Sequence, residues 1–357
     1  MKLIHCSDIH LDSPMDSRLP PEKARERSRE LCRTFCRMIA YARENDVAAV
    51  LLCGDLFDTR QTCPATAAEV LSAMREAEGV QFFCLRGNHD EGRPFAGELL
   101  PPNLHLFSAE WSYYRMGGVV IAGREPEGDG WDTMYEELEL REEDTNLVML
   151  HGQVSGSRGA EKISLPALQR LPIRYLALGH LHAYHCEELN PWGRWCYSGC
   201  LEGRGFDECG EHGFVLLDVQ RDRIEPQLVP FASRQLHAVE VDVSSLDSYP
   251  GILAACSDAC RNVPLRDLIK LTLRGACSPE IPLNAVRLEE TLGERYYFLT
   301  VADETVPAAE EFGLSRDVSL KSAFTRRVMG CGELTGEEKQ RILRFGLRAL
   351  CGKDVTT

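Results

Sequence analysis

The chain has 357 residues, of which 44% are hydrophobic and 27% are charged, and its formal net charge is −15. This length suggests two or three domains, and the composition is ordinary for a globular protein. The acidic charge counts against a protein that simply coats nucleic acid, because binding to phosphates is largely electrostatic. It leaves open an enzyme that acts on phosphates, since bound divalent cations would supply positive charge where the phosphate must sit.

The apolar segments of the chain are short. None approaches the ~18 residues that a membrane-spanning helix needs, so we expect no membrane association. The first residues pass directly into an apolar run, without the basic segment and apolar stretch of a secretory signal. We therefore expect a cytoplasmic protein.

Fifteen cysteines are scattered along the chain, and none forms a Cys-x-x-Cys pair. Three Cys-x-x-x-Cys pairs occur, without the further ligands that a structural zinc site needs. These pairs are Cys32 with Cys36, Cys196 with Cys200, and Cys256 with Cys260. We expect reduced thiols that serve as small apolar residues. A redox-sensitive cluster of the cysteines at 186, 196, 200 and 209 is the alternative.

The first 230 or so residues repeat one pattern, in which an apolar run is followed by a polar cluster and often by a helix. The apolar runs are residues 3–6, 47–53, 80–85, 147–150 and 175–178. Helices are predicted at residues 22–43 and 66–77, a further strand at 119–123, and a hairpin at 213–219 with 224–228. Short apolar strands that alternate with helices predict an α/β fold with buried strands.

A second set of elements begins near residue 231. Strands are predicted at residues 237–243, 268–273 and 296–301, with helices at 249–260 and 283–292 between them. This order indicates a small α+β domain. We therefore divide the chain into an α/β domain at 1–232, an α+β cap domain at 233–312 and a C-terminal helical segment at 313–357.

Each of the five apolar runs ends in a polar cluster. The clusters are Asp8-Ile9-His10, Gly54-Asp55-Leu56-Phe57-Asp58, Gly87-Asn88-His89-Asp90, His151-Gly152 and Gly179-His180-Leu181-His182. Because ligands of open α/β sheets bind beyond the carboxyl ends of the strands, we expect these clusters to converge at one edge. The i, i+2 spacing in Asp-x-His and His-x-His would point both side chains to the same side of an extended chain.

The side chains in these clusters are of the types that bind metals. Carboxylates, an amide oxygen and imidazoles suit manganese, iron or zinc, and the lack of cysteine argues against a purely soft site. Two cations ~3.5–4 Å apart need one bridging carboxylate, and Asp55 fits that position. Glycines beside the ligands allow close backbone approach. The sequence thus predicts two divalent metal ions, for which we expect Mn²⁺, with iron or zinc as alternatives.

Together these motifs resemble those of the calcineurin-like metallophosphoesterase superfamily and, within it, the SbcD-like family of DNA double-strand-break repair nucleases. The resemblance covers roughly residues 1–230. The run from Gly54 to Thr59 and the early position of Asp8 favour the nuclease branch. Residues 197–214 look like its substrate-side loop, although Ser198 stands where the family usually has a proline. The resemblance implies a four-layer sandwich of β-sheets flanked by helices, with a small α+β cap and a C-terminal helical segment.

The resemblance also implies a role for each motif residue. One metal would bind Asp8, His10 and His182, the other Asn88, His151 and His180, and Asp55 would bridge them. His89 would be the catalytic residue that faces the scissile phosphate, and Asp58 would orient or support it. The two ions would assist in-line attack of a hydroxide on phosphorus.

We therefore expect the nuclease subunit of a DNA repair complex, acting on double- or single-stranded DNA ends. In SbcD-like nucleases the region after the cap engages an ATPase with a coiled-coil arm, of the SbcC type. From residue 316 onward this chain has nine Lys/Arg and five Asp/Glu, and it ends in an amphipathic helix with Leu343, Leu347 and Leu350. This segment either docks the ATPase or packs on its own chain. Homodimerisation is also left open.

Two other functions would share the metal motifs. A phosphodiesterase or phosphatase for a small nucleotide or other phosphoester would use the same ligands. In small-molecule phosphodiesterases, however, the histidine matching His151 is often followed by prolines, and here Gly152 and Gln153 follow it. A non-catalytic DNA-end scaffold is disfavoured because no ligand position is degraded. Arg204 is a candidate phosphate contact, and Trp192 and Trp195 either stack on bases or pack under a loop.

Overall fold

The computed structural model describes residues 1–15, 19–58, 63–90, 95, 98–128, 130–157, 159–220, 223–278, 281–308, 320–332 and 334–350. The chain divides into two compact units, Met1–Gln235 and Leu236–Thr357. Every helix within these described ranges is too short or too polar to cross a membrane.

The first unit contains two six-stranded sheets. Its strands are β1 (Lys2–Cys6), β2 (Val47–Cys53), β3 (Gln81–Leu85), β4 (Leu104–Leu106), β5 (Ser112–Met116), β6 (Val119–Gly123), β7 (Thr145–His151), β8 (Gln153–Val154), β9 (Lys162–Ile163), β10 (Ile173–Gly179), β11 (His185–Asn190), β12 (Gly193–Tyr197), β13 (Gly213–Val219) and β14 (Ile224–Pro230). Its helices are α1 (Pro21–Glu44), α2 (Pro64–Glu76), α3 (Gly130–Thr133) and α4 (Leu165–Leu168).

Parallel strands form the centre of both sheets. The first sheet has the order β14-β13-β1-β2-β3-β4, with parallel pairing from β1 to β4. The second has the order β11-β12-β10-β7-β6-β5, with parallel pairing from β12 to β6. Parallel strands are buried on both faces, which accounts for their continuous apolar sequences. The carboxyl ends of β1, β2 and β3 consequently lie at one edge of the first sheet, and those of β7 and β10 at one edge of the second.

The two sheets pack face to face and carry helices on their outer faces. Leu51 and Phe83 of the first sheet share a buried cluster with Leu147 and Tyr175 of the second. Side chains of α1 and α2 cover the outer face of the first sheet. Residues in and around the short helices α3 and α4 cover the outer face of the second. This arrangement confirms the predicted four-layer α/β sandwich.

A buried ionic network joins α1 to the loop before β13. Arg27 is 1% exposed, and its guanidinium donates to Glu30 at 2.6 Å and to Glu202 at 3.2 Å. Glu202 also accepts from the Thr34 hydroxyl at 2.7 Å and from the backbone N–H of Ser233 at 2.6 Å. Because a buried charge is tolerated only when it is paired and hydrogen-bonded, this network fixes the loop against the helix.

The second unit has a parallel three-stranded sheet at its centre, with the order β15-β16-β18. Its elements are β15 (Leu236–Asp242), α5 (Tyr249–Ala259), β16 (Leu268–Arg274), β17 (Ala276–Cys277), α6 (Ala285–Gly293), β18 (Phe298–Asp303), β19 (Val306–Pro307), α7 (Leu320–Met329) and α8 (Gly336–Leu350). Leu343 and Leu347 of α8 pack against Val328 of α7, so the apolar face of the last helix contacts its own chain. Residues 313–319 and 351–357 of the predicted C-terminal segment lie outside the described residues.

One expectation about the cysteines is wrong. Cys186 and Cys196 form a disulfide across the antiparallel β11–β12 pair, where they lie directly opposite each other with their Cα atoms 4.2 Å apart. The sequence pattern does not indicate β11 and β12 as strands, so it provides no register with which to pair these two residues. Among the described cysteines, those at 6, 32, 36, 53, 63, 84, 200, 256, 260 and 331 are free thiols.

The buried network yields a stability prediction. Replacing Arg27 with methionine keeps most of the side-chain volume and leaves the buried Glu202 carboxylate without its cation. We expect Arg27→Met to lower the free energy of unfolding by roughly 3–5 kcal/mol, the usual cost of breaking a buried pair. Chemical denaturation measures it.

Arg115→Met is the matched control. Arg115 pairs with Asp144 through two contacts of 2.6 Å, but its side chain is 52% exposed. Solvent screens such a pair, so we expect little change in stability. If both substitutions lowered the free energy of unfolding equally, burial would not be the reason that the Arg27 network stabilises the fold.

Candidate metal centre

The two sheets bring the predicted site residues to one place. Asp8 and His10 follow β1, Asp55 and Asp58 follow β2, and Asn88 and His89 follow β3, all from the first sheet. From the second sheet, His151 ends β7, and His180 and His182 follow β10. The seven predicted ligands come together where these carboxyl ends meet, as the following distances show.

Asp8, His10 and His182 form one group. One ligand atom from each lies within 4.8 Å of the others. The Nε2 atoms of His10 and His182 are 3.2 Å apart, and His182 Nε2 is 3.9 Å from a carboxylate oxygen of Asp8. This is the set that the resemblance implies for one metal.

Asn88, His151 and His180 form a second group. The amide Oδ1 of Asn88 lies 3.0 Å from His151 Nε2 and 3.3 Å from His180 Nδ1. Asp55 lies between the two groups, because its Oδ2 is 3.5 Å from His151 Nε2 and 3.9 Å from His10 Nε2. Its carboxylate therefore has the position that a bridging ligand needs.

Hydrogen bonds at the far side of three imidazoles determine which nitrogen faces the centre. His10 Nδ1 contacts an Asp58 carboxylate oxygen at 3.0 Å, His182 Nδ1 contacts a Glu208 oxygen at 2.6 Å, and His151 Nδ1 contacts the Cys53 carbonyl oxygen at 2.8 Å. The two carboxylates and the carbonyl only accept hydrogen bonds, so each Nδ1 carries the proton and each Nε2 presents a lone pair. Arg204 Nη2, which lies 3.2 Å from His182 Nδ1, donates to the same Glu208 oxygen.

The centre consequently holds acceptor atoms that face one another. Lone pairs of His10 and His182 point together at 3.2 Å, beside the carboxylates of Asp8 and Asp55. Such a cluster is repulsive unless a cation lies among the acceptors. The donor set of carboxylate, amide and imidazole fits divalent first-row ions, and each of these three histidines has the supporting partner that metal-binding histidines usually have.

His89 and Asp58 lie beside this cluster. His89 Nδ1 is 3.3 Å from the same Asp58 oxygen that accepts from His10, and the rings of His10 and His89 meet edge to face at 4.9 Å. Burial raises the pKa of Asp58, but hydrogen bonds from His10 and Ser13 and the charge of Arg204 outweigh it, so the pKa lies below its ordinary value. Asp58 is thus an ionised acceptor that holds two histidines.

The backbone at the ligands explains why they converge, and it corrects one expectation. Asp8, His10, Asp55 and His180 have φ angles of 52°, 49°, 53° and 110°. The i, i+2 pairs are therefore not on extended chain, as the spacing argument assumed. Left-handed backbone turns each chain sharply after its strand and costs of order 1–3 kcal/mol per residue.

Two glycines are required by close packing beside the ligands. A Cβ atom at Gly54, whose φ is 88°, would lie 2.3 Å from His151 Nδ1. A Cβ atom at Gly87 would lie 2.1 Å from a carboxylate oxygen of Asp55. Any side chain at these positions would displace a predicted ligand, so the Gly-Asp and Gly-Asn pairs are steric requirements.

Ser198, which departs from the pattern of the family, contacts the centre through a hydrogen-bond chain. Its hydroxyl lies 2.8 Å from that of Ser7, which in turn donates to Asp8. The backbone N–H of His180 also donates to both Asp8 oxygens, at 3.1 and 3.0 Å. These bonds hold the buried Asp8 carboxylate in one orientation.

Sequence reasoning missed Glu208. Burial raises the pKa of this carboxyl, but the hydrogen bond from His182 together with the charge and backbone N–H of Arg204 brings it to about 2. Arg204 Nη2 lies 3.2 Å from Glu208, and Nη1 lies 3.6 Å from Asp58. Arg204 thus joins the two carboxylates that support His10 and His182. The run from Gly203 to Glu208 held the signal, an acidic residue four positions after an arginine.

Asp90, the last residue of the Gly-Asn-His-Asp motif, also had no assigned role. Its buried carboxylate accepts from the backbone N–H groups of Leu56, Phe57 and Gly87, at 2.9–3.2 Å. It therefore ties the loop after β2 to the loop after β3. Of the two candidate stacking residues, Trp195 is buried and Trp192 is 48% exposed.

Sequence comparison gives one family. A family model described as calcineurin-like phosphoesterase matches residues 1–184, slightly more than half of the chain. No curated protein sequence matches the chain.

Several solved structures are similar to the chain. A protein from Thermus thermophilus is 14% identical, with a TM-score of 0.41, over 64% of this chain and 98% of its own. A dimetal phosphatase from Danio rerio is 10% identical, with a TM-score of 0.40, over 64% of this chain and 99% of its own. The nuclease MPE of Pseudomonas putida is 15% identical, with a TM-score of 0.28, over 62% of this chain and 85% of its own.

The contact between Glu208 and His182 predicts an effect on metal affinity. Both carboxylate oxygens of Glu208 accept hydrogen bonds, one from His182 and one from the backbone N–H of Arg204. The amide of Glu208→Gln would place an N–H against one of these donors. We expect divalent-metal binding to weaken roughly 10–100-fold at the position nearest His182, because supporting partners of ligand histidines carry that much affinity.

Isothermal titration calorimetry with Mn²⁺ measures this change. Asp207→Asn is the control, because Asp207 is the neighbouring acidic residue and its carboxylate supports none of the predicted ligands in the hydrogen bonds described above. Identical binding curves for Glu208→Gln and the unsubstituted chain would contradict a role for Glu208 in holding His182.

Proposed function

Because the chain belongs to the calcineurin-like phosphoesterase family, we propose that it is a DNA nuclease of the SbcD type that hydrolyses phosphodiester bonds at DNA ends. The family consists of metal-dependent phosphoester hydrolases that typically bind two divalent metals. The observation that carries the proposal is the convergence of acceptor atoms on both sides of Asp55. We expect Mn²⁺ to be the most effective ion, since the ligands are oxygen and imidazole nitrogen.

The openness of the site supports a large substrate. The side chain of His89 is 49% exposed and that of His182 is 27% exposed. A phosphate within a polymer could reach both without entering an enclosed pocket. Two sequence features agree with the nuclease branch: the motif from Gly54 to Thr59 and the absence of prolines after His151. Thr59 lies outside the described residues.

The residues around the centre would have different roles in the reaction. The two cations would activate the attacking water and neutralise charge on the phosphoryl oxygens. His89, oriented by Asp58 through its Nδ1, would donate a hydrogen bond or a proton from Nε2 to the leaving oxygen. Arg204 adds positive charge beside Asp58 and His182, where a phosphate would approach. Asp55 and Asp8 would remain ligands.

For the second unit we propose docking of a coiled-coil ATPase of the SbcC type on α7 and α8. Leu343 and Leu347 are occupied by packing on α7, so they are not the docking residues. Leu320, Met329 and Ile342 are apolar side chains of the same two helices and are 71%, 51% and 37% exposed. Exposed apolar groups on neighbouring helices are a suitable surface for an amphipathic partner.

The central activity test is cleavage of DNA with Mn²⁺, alone and with the ATPase partner. We expect degradation of linear DNA from its ends, abolished by a chelator. His89→Ala should lower the rate roughly 10²–10⁴-fold while leaving metal binding intact, because His89 supports proton transfer and is not a ligand. His185→Ala is the control, since His185 is 46% exposed and lies outside the cluster.

Two outcomes would contradict the nuclease proposal, and a third would contradict the role of His89. Hydrolysis of a small phosphodiester such as bis-p-nitrophenyl phosphate, without any DNA cleavage, would favour a small-molecule phosphodiesterase. A DNA-end scaffold would be favoured if protein prepared without a chelator contained no metal and bound DNA without hydrolysing it. Full activity of His89→Ala would remove its assigned role.

The docking proposal predicts a specific loss of binding. In the full chain, Ile342→Glu places a charge on the exposed surface of α8 and should weaken ATPase binding at least about tenfold, the cost of one lost apolar contact. Val286→Glu is the control, because Val286 is 65% exposed on α6 of the same unit. Surface plasmon resonance with the purified ATPase compares them, and equal affinities would contradict docking on these helices.

A further inference from the structure

Helices α1 and α2 bring together three ligand atoms outside the predicted metal centre. The sulfur atoms of Cys32 and Cys36 and a carboxylate oxygen of Glu69 all lie within 4.8 Å of one another. Cys32 and Cys36 are four residues apart on α1, so their side chains lie on one face. Glu69 comes from α2. The cluster therefore joins two helices.

In the sequence, this cysteine pair has no further ligand near it, so the pair alone does not predict a metal site. Glu69 lies well beyond Cys36 in the sequence, in another helix, and only the packing of α2 beside α1 places it there. The third ligand is thus a product of the tertiary structure.

We propose that Cys32, Cys36 and Glu69 bind a thiophilic divalent cation, Zn²⁺, as a clip between α1 and α2. Zinc binds sulfur at ~2.3 Å and carboxylate oxygen at ~2.0–2.2 Å, so its tetrahedral ligands lie about 3.5–3.8 Å apart, within the span of these three atoms. Because Glu69 is exposed, water can fill the fourth position. This proposal is independent of the nuclease function.

The two sulfurs differ in burial and in acidity. Cys32 is 7% exposed and packs in the core beneath α1, and Cys36 is half-buried. The hydrogen bond between the two thiols lowers the pKa of Cys36 and, together with burial and Glu69, raises the pKa of Cys32, so Cys36 is the first of the two to deprotonate. Soft sulfur ligands select zinc over the manganese expected at the centre, which has no sulfur ligand.

The clip would also act on the loop that carries His10. The Thr66 hydroxyl and the backbone N–H of Cys63, at the start of α2, donate to the Asp12 carboxylate at 2.6 and 2.9 Å. Asp12 follows His10 by two residues. A cation that fixes α2 against α1 would therefore steady this loop as well.

Cobalt titration of the reduced, metal-depleted full chain tests the proposal. Thiolate ligands give Co²⁺ a charge-transfer band in the near ultraviolet, which oxygen and imidazole ligands cannot produce. We expect Co²⁺ to generate this band, which should saturate at one thiolate-bound ion per chain, and Zn²⁺ to abolish it. Cys36→Ser should lack the band, and Glu69→Gln should weaken Co²⁺ binding at this site at least about tenfold, since a lost ligand costs no less than a lost supporting partner.

Two controls make the result specific. Cys63→Ser removes an exposed cysteine outside the cluster and should keep the band unchanged. Glu69 is exposed, so Glu69→Gln should fold normally and report on binding even if Cys36→Ser were unstable. No band in the unsubstituted chain, a band that persists in Cys36→Ser, or unchanged affinity in Glu69→Gln would each overturn the proposal.

Discussion

At the edge where the two sheets meet, hydrogen-bond acceptor atoms face one another and repel. Asp58, Glu208 and the Cys53 carbonyl hold the protons of three imidazoles on their outer nitrogens, so the inner nitrogens face carboxylates and each other. Left-handed backbone at four ligand positions adds strain. Cations in the cluster would offset the repulsion, so metal binding and the stability of these loops would be coupled.

The buried parts of the fold were predictable because parallel strands have continuous apolar sequences. Strands β2, β3, β7 and β10 each follow that rule, and helix α1 follows the helical period on its buried face. The hairpin of β11 and β12 was not predicted, because β11 lies at a sheet edge and is mostly exposed. Without this hairpin, the disulfide between Cys186 and Cys196 could not be foreseen.

In the candidate site, the predicted ligands lie in short local motifs, whereas the residues that support them are distant in the sequence. The residues that converge could be predicted because each lies in a short run of consecutive residues at the end of a strand. The residues that hold them come from elsewhere: Glu208 is 26 residues from His182, and Cys53 is 98 residues from His151. Only the packing of loops shows such pairs. The i, i+2 spacing led to convergence for a reason that the sequence could not show, namely the left-handed turns after the strands.

The number and position of bound cations test the central claim most directly. Crystals of the protein soaked with Mn²⁺ would give an anomalous difference map at the manganese edge. We expect two peaks about 3.5–4 Å apart on either side of the Asp55 carboxylate, one beside His10 and His182 and the other beside Asn88 and His151. A single peak, or two peaks that do not share Asp55, would contradict the account.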